Sequence, residues 1–128
     1  MKKNLKNLFC ILLIVLINLY PNHLLAISPE WIGVPKSEFG EQLWDKSSIQ
    51  KNSDGSLRIN SKFIAKKDGI YEHEIDYTMD INCENSTYRD ISTSSNSLNE
   101  VQEINQNWNN PNGDPLIKGV INQVCQNN

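Results

Sequence analysis

From residue 71 to residue 83 the chain changes polarity at every step. Tyr71, His73, Ile75, Tyr77, Met79, Ile81 and Cys83 alternate with Glu72, Glu74, Asp76, Thr78, Asp80 and Asn82. This period of two predicts a half-buried strand with a solvated acidic face. The inward phase includes Cys83, whose sulfur is expected in the core, and His73, expected to be a packed, hydrogen-bonded core histidine. Upstream, Leu57, Ile59, Ser61, Phe63 and Ala65 alternate with Arg58, Asn60, Lys62 and Ile64, which predicts a second strand. Lys66-Lys67-Asp68-Gly69 between them has turn chemistry, so the two strands should form an antiparallel hairpin. That pairing lays Arg58 and Lys62 beside the acidic face, each cross-strand ion pair contributing roughly a few tenths of a kcal/mol. Asn52-Ser53-Asp54-Gly55 and Glu84-Asn85-Ser86 mark two more turns. Residues 31–34, 42–45 and 87–93 are shorter strand candidates.

Near the C-terminus the period lengthens. Leu116, Val120 and Val124 fall on one i, i+4 line, and Ile117, Ile121 and Cys125 on the next, the stripe of an amphipathic helix about three turns long. Asp114 suits its N-cap and Pro115 its first turn. Gly119 weakens such a helix by about 1 kcal/mol relative to Ala, unless close approach to another backbone needs it. Cys125 belongs to the buried stripe, so two independent periodicities each point a cysteine inward. A bridge stapling the helix to the sheet is the economical conclusion. Residues 94–113 are rich in Ser and Asn. Ser97-Leu98-Asn99-Glu100 matches a capping box, but the segment reads better as an irregular polar loop, pinned to the core by Trp108. The fold class expected is α+β, a small antiparallel sheet with a C-terminal helix packed on it and tethered by a Cys83–Cys125 disulfide.

The first 26 residues do not belong to that fold. Lys2, Lys3 and Lys6 precede an apolar run over 8–20, Pro21 and Asn22 break it, and a small residue, Ala26, follows. This is the layout of a secretory signal peptide over 1–26, cleaved after Ala26. A membrane span would need about 20 apolar residues. Cys10 sits inside the apolar run without the small residues that precede a lipid-attachment cysteine. The expected product, 27–128, is one domain that keeps Cys83 and Cys125, and exported domains with an even cysteine count usually pair them. The whole chain has 128 residues, 38% hydrophobic and 21% charged, which suits a globular fold. Its 12 Lys+Arg against 15 Asp+Glu give a net charge of −3. Loss of the three leader lysines makes the domain more acidic still, which argues against nucleic-acid binding.

Chemistry is sparse. His73 is the one histidine after residue 26, and with Cys83 and Cys125 it lacks any compact metal-ligand spacing. Glu72, Glu74, Asp76 and Asp80 share a strand face, but such neighbours stand nearly ~7 Å apart and no Asp-rich calcium loop accompanies them. They read as a solvated face or as partners of Arg58 and Lys62. No nucleophile elbow and no Gly-rich phosphate loop is present. Asn85-Ser86-Thr87 matches the glycosylation sequon, which without a eukaryotic secretory pathway means only a polar turn. No catalytic, cofactor-binding or metal-binding residue is nominated, and no enzyme is expected.

Several of these residues, in order, resemble a known family. Trp31 opens the set. Leu43-Trp44-Asp45 with Ser48-Ile49 follows, then Asp80-Ile81-Asn82-Cys83, Tyr88-Arg89 with Ile91-Ser92, Trp108, and the helix from Leu116 to Val124-Cys125. The order is similar to that of the bacterial surface-adhesin protein E domain. The resemblance implies a small antiparallel sheet with a cysteine-tethered C-terminal helix, exposure at the cell surface, a tendency to dimerise, and binding of host extracellular proteins. The chain departs from the pattern in lacking a lipid-attachment cysteine at the signal-peptide end. One expectation is therefore an exported surface or secreted domain that binds an extracellular protein partner through the sheet face, an edge strand or residues 94–113. The alternative is a periplasmic structural or accessory domain with no host ligand. A weaker third is a small-ligand binder, for example of haem through His73 and Tyr77. A homodimer is expected, either through a different strand or by setting the acidic face of 72–80 against Arg58 and Lys62 of a second subunit.

Mass mapping of unreduced peptides should find Cys83 joined to Cys125, whereas two free thiols in freshly exported protein would contradict the pairing. Cys83→Ala should then lower the denaturation midpoint by a few kcal/mol of stability, as loss of a native bridge in a small secreted domain does.

Overall fold

The computed structural model describes residues 28–127 except 96, 97 and 105, so the expected signal peptide lies outside the described residues. Six strands run in order: β1 (Trp31–Gly33), β2 (Gly40–Lys51), β3 (Leu57–Lys67), β4 (Ile70–Asn82), β5 (Thr87–Ser95) and β6 (Leu98–Glu103). One helix, α1 (Pro115–Gln126), follows them. Every strand pairs antiparallel with its neighbour in sequence, so the sheet is an uninterrupted meander, β1-β2-β3-β4-β5-β6.

The hairpin expected from the alternating pattern is its centre. Asp68 and Gly69 hold φ of 52° and 78°, the positive values that a two-residue hairpin turn requires at both central positions. They bring Arg58 opposite Asp80 and Lys62 opposite Asp76. At the start of β2, Gly40 (φ 149°) is irreplaceable for a different reason. A Cβ there would stand 2.3 Å from the carbonyl oxygen of Ile64.

One face of the sheet carries the core. Trp44, Leu57, Ile59, Met79 and Ile81 pack against Leu116, Val120, Ile121 and Val124 of α1, with Val34 between sheet and helix. The helix starts where the sequence places it. Asp114 caps it by accepting hydrogen bonds from the amides of Leu116 and Ile117, and Pro115 occupies its first turn. Two side chains lock it in place. The Trp44 indole N–H donates to Gln123 Oε1 at 2.7 Å, and Gln123 Nε2 donates to the Gly33 carbonyl at 3.3 Å. Cys83, just past β4, is bonded to Cys125 in the last turn of α1, with Cα atoms 5.6 Å apart.

Several expectations need correction. Cys83 is exposed rather than in the core, because it lies past the last residue of β4 at the rim of the sheet, while Cys125 is half-buried. His73 is exposed too. It pairs with Ala65 in the outer part of the β3–β4 hairpin, beyond the core residues that α1 covers. Asp80 belongs to the acidic phase yet is fully buried. Part of the segment read as a polar loop forms β6, paired with β5 from Ser92↔Glu103 to Ser95↔Leu98. Period-two burial could not reveal β6, because only one side of it pairs and its composition is polar.

Gly119 sits where a Cβ would stand 2.9 Å from Val34 Cβ. In an open helix Gly→Ala stabilises by about 1 kcal/mol. Here Gly119→Ala should instead destabilise by roughly 1–3 kcal/mol, the usual range for overpacking. Chemical denaturation reads the sign directly.

Candidate functional site

The face of the sheet opposite α1 carries a ladder of paired charges. Asp80 lies at its centre, accepting from Arg58 Nε at 2.8 Å and Nη2 at 3.0 Å, and from Arg89 Nη2 at 2.8 Å. Burial pushes the Asp80 carboxyl up, but hydrogen bonds from Arg58, Arg89 and Asn52 outweigh it and hold the group below its ordinary range. Arg89 also reaches Asp54 at 3.5 Å. Further along β3, Lys62 Nζ lies 2.6 Å from Glu74 and 3.7 Å from Asp76. An indole stacks on a cation at each end. Lys62 Nζ is 4.7 Å from the centroid of the Trp31 ring, and the Arg89 guanidinium is 4.5 Å from that of Trp108. Trp108 therefore fastens its segment to Arg89 on this face rather than to the core, helped by paired backbone hydrogen bonds between Tyr88 and Asn109.

These contacts bear on the expected dimer. Arg58 and Lys62 already pair with the acidic strand of their own chain. Their charges are thus already engaged within one chain.

Beyond the reach of α1 the surface changes character. Phe39 is 68% exposed, Ile70 71% and Tyr71 52%. They share one end of the sheet, since Lys66 pairs with Tyr71, Lys67 pairs with Ile70, and the Lys66 amide donates to the Phe39 carbonyl. Charged groups rim this end. Glu41 is bound by Lys36 at 2.8 Å and by Lys66, and hydrogen bonds from these two lysines hold its carboxyl down to about 2.

A cleft of about 480 Å³ opens between this end and the start of α1. Phe39, Phe63, Tyr77 and Tyr88 give it aromatic walls, and Met79 and Leu116 add apolar surface. Its charged lining residues are Asp90 and Asp114. Burial pushes the Asp90 carboxyl up, and Asp90 Oδ1 is covered without a hydrogen-bond partner among the described residues. Burial, followed by the negative charges of Asp90 and Asp114, raises the Tyr88 hydroxyl as well. Tyr77 lines the cleft, but His73 does not, so the structure does not bring together the pair considered for haem. Among the described residues no group of three or more His, Cys, Asp or Glu is placed to hold a metal ion. No helix among them is long and apolar enough to cross a membrane.

Sequence reasoning missed Asp90 and Phe39. The one available signal was Asp90 itself, an acid in the middle of a β-strand that should have faced solvent. In the β4–β5 ladder Tyr88 pairs with Ile81 and Asp90 with Met79 in one continuous register, so both β5 residues fall on the core face.

A family model described as the Surface adhesin-E family matches residues 32–128. No curated protein and no solved structure matches the chain.

Removing Asp80 leaves two guanidinium groups facing each other. Asp80→Ala should cost roughly 3 kcal/mol, the scale for breaking a buried ion pair by deleting one partner. The same carboxylates set the acid limit. Asp80 and Glu41 both titrate below their unfolded values, so their contributions are full above the ordinary carboxylate range and fade as pH falls toward 2. Urea midpoints should therefore be flat near neutrality and fall below about pH 4, and the fall should be shallower in Asp80→Ala.

Proposed function

The chain belongs to the Surface adhesin-E family, and from that premise we propose that it is an exported, non-enzymatic interaction domain that binds an extracellular protein partner. In this reading residues 1–26 are the leader and 27–128 the working domain, displayed at the cell surface or secreted. The observation that carries it is the joint exposure of Phe39, Ile70 and Tyr71 at one end of the sheet. Three large apolar side chains gathered on a small domain and rimmed by charge have the composition of a protein-docking patch. The opposite charged face suits that role less, because its ions are already paired within the chain. Self-association, if the domain uses it, falls to an edge strand such as β1 or to the same apolar end.

Cell fractionation with an antibody to the domain, followed by solid-phase binding of the purified domain to a panel of immobilised host extracellular proteins, tests the proposal. The expected result is surface or secreted protein and saturable binding. Ile70→Ser with Tyr71→Ser should weaken that binding by about tenfold or more, as truncation of interface anchors does, measured on protein whose unfolding transition shows that it is folded. A protein confined to the periplasm would favour the accessory-domain alternative and overturn this one, as would binding indifferent to both substitutions.

A further inference from the structure

The cleft beside the apolar end has a composition that selects its occupant. Its aromatic walls and volume suit an organic group of several heavy atoms. Its two charged lining residues are both acidic, Asp90 and Asp114, and no cation lines it among the described residues. An anion would be repelled, and a neutral apolar group would bury Asp90 further without giving it a partner.

The two carboxylates are not equivalent. Asp114 Oδ1 already accepts from the amides of Leu116 at 2.9 Å and Ile117 at 3.2 Å, capping α1. Asp90 Oδ1 has no partner among the described residues. A buried acceptor without a donor is unfavourable. Oδ1 is closed to solvent as it stands, so a ligand in the cleft would supply its donor as the half-buried Asp90 carboxylate, which lines the cleft, turns toward it. Aromatic rings around a carboxylate favour a positive charge, through the ring quadrupoles as well as the acid. One unpaired acceptor suits a compact point charge on a flexible apolar stem. The planar guanidinium fork, which prefers two oxygens side by side, suits it less.

We infer that this cleft takes the side chain of a lysine carried by the protein partner, its ammonium donating to Asp90 and its alkyl stem lying among Phe63, Met79 and Leu116. The inference rests on the reading of the domain as a protein-binding module. Phe39 joins the two surfaces, since it is both part of the exposed apolar end and part of the cleft wall. A partner seated on Phe39, Ile70 and Tyr71 would therefore have the cleft at its margin. Apolar contact would hold the partner, and the lysine would fix its register.

The probe is Nα-acetyl-lysine amide, titrated into the isotope-labelled domain and followed by NMR. Saturable shifts should appear at Tyr77, Tyr88 and Asp90. The norleucine analogue, with the same stem and no charge, should bind at least about tenfold more weakly, the fold-change of one charge-assisted hydrogen bond. Asp90→Asn, which keeps the side-chain shape, should bring lysine binding down to the norleucine level. Equal binding of the two analogues to the unmodified domain would overturn the inference, whatever the variant does, and so would shifts confined to other surfaces or unaltered lysine binding by Asp90→Asn. The titration contains no partner protein, so its failure would leave the apolar docking patch standing, and a failed search for host ligands would leave the cleft result intact.

Discussion

The structure depends on holding one twelve-residue helix against one end of a sheet. A six-stranded meander has no second layer of its own, and Leu57, Ile59, Met79 and Ile81 would face water without α1. Three contacts of different physical kinds fix the helix. The missing side chain of Gly119 lets α1 approach Val34, Gln123 joins the Trp44 indole to the Gly33 carbonyl, and the Cys83–Cys125 bond ties the final turn to the end of β4. The first sets distance, the second sets rotation, and the third limits how far the end can open. Ahead of the first turn of α1 the cover is missing, and the cleft and the exposed apolar end both lie at that step.

The two faces of the sheet solve different problems. On the helix side, apolar area removed from water stabilises the fold. On the other side no layer among the described residues covers the strands, and Asp80 is buried instead by the arginines that bind it. Those arginines are themselves held, Arg89 by Asp54 and by the ring of Trp108. A face whose charges are mutually satisfied stays soluble and rigid but offers little new to a partner. Groups with unmet chemistry are found elsewhere, at the exposed side chains of Phe39 and Ile70 and at Asp90 Oδ1.

Most of the architecture was legible in the sequence because it rests on periodicity. The alternation over 71–83, the paired stripe from Leu116 to Cys125, the Asp114-Pro115 helix start and the Asp68-Gly69 turn each have a local cause, and each appears where that cause places it. Gly119 was legible as a question, since a glycine in a helix implies either weakness or close approach. What periodicity could not give was extent. It assigns His73 and Cys83 to the inward phase but cannot say that the helix fails to reach one and that the strand ends before the other. Nor can it see that Asp80 is enclosed, since that depends on Arg58 and Arg89 arriving from two different strands. The cleft was invisible for a related reason. Phe39, Tyr77, Asp90 and Asp114 come from four separate parts of the chain and meet only through the pairing of the strands and the place where α1 begins.

Strictly sequential strand order has a consequence for how the chain assembles. Each strand finds its partner in the one made just before it, so the sheet can grow hairpin by hairpin as the chain appears from its N-terminus. The helix cannot join until the last residues exist. Cys83 precedes Cys125 by 42 positions, so for that interval the growing sheet presents a bare apolar face and a solitary thiol at its rim. An oxidised disulfide catalyst would meet Cys83 first, in the open. The Cys83 thiolate would attack its disulfide and release one catalyst sulfur as a thiol, and Cys125 would then attack the mixed disulfide and expel the reduced catalyst as the helix closes. The exposure of Cys83, which looked like a departure from the expected core position, keeps that exchange accessible until the final step.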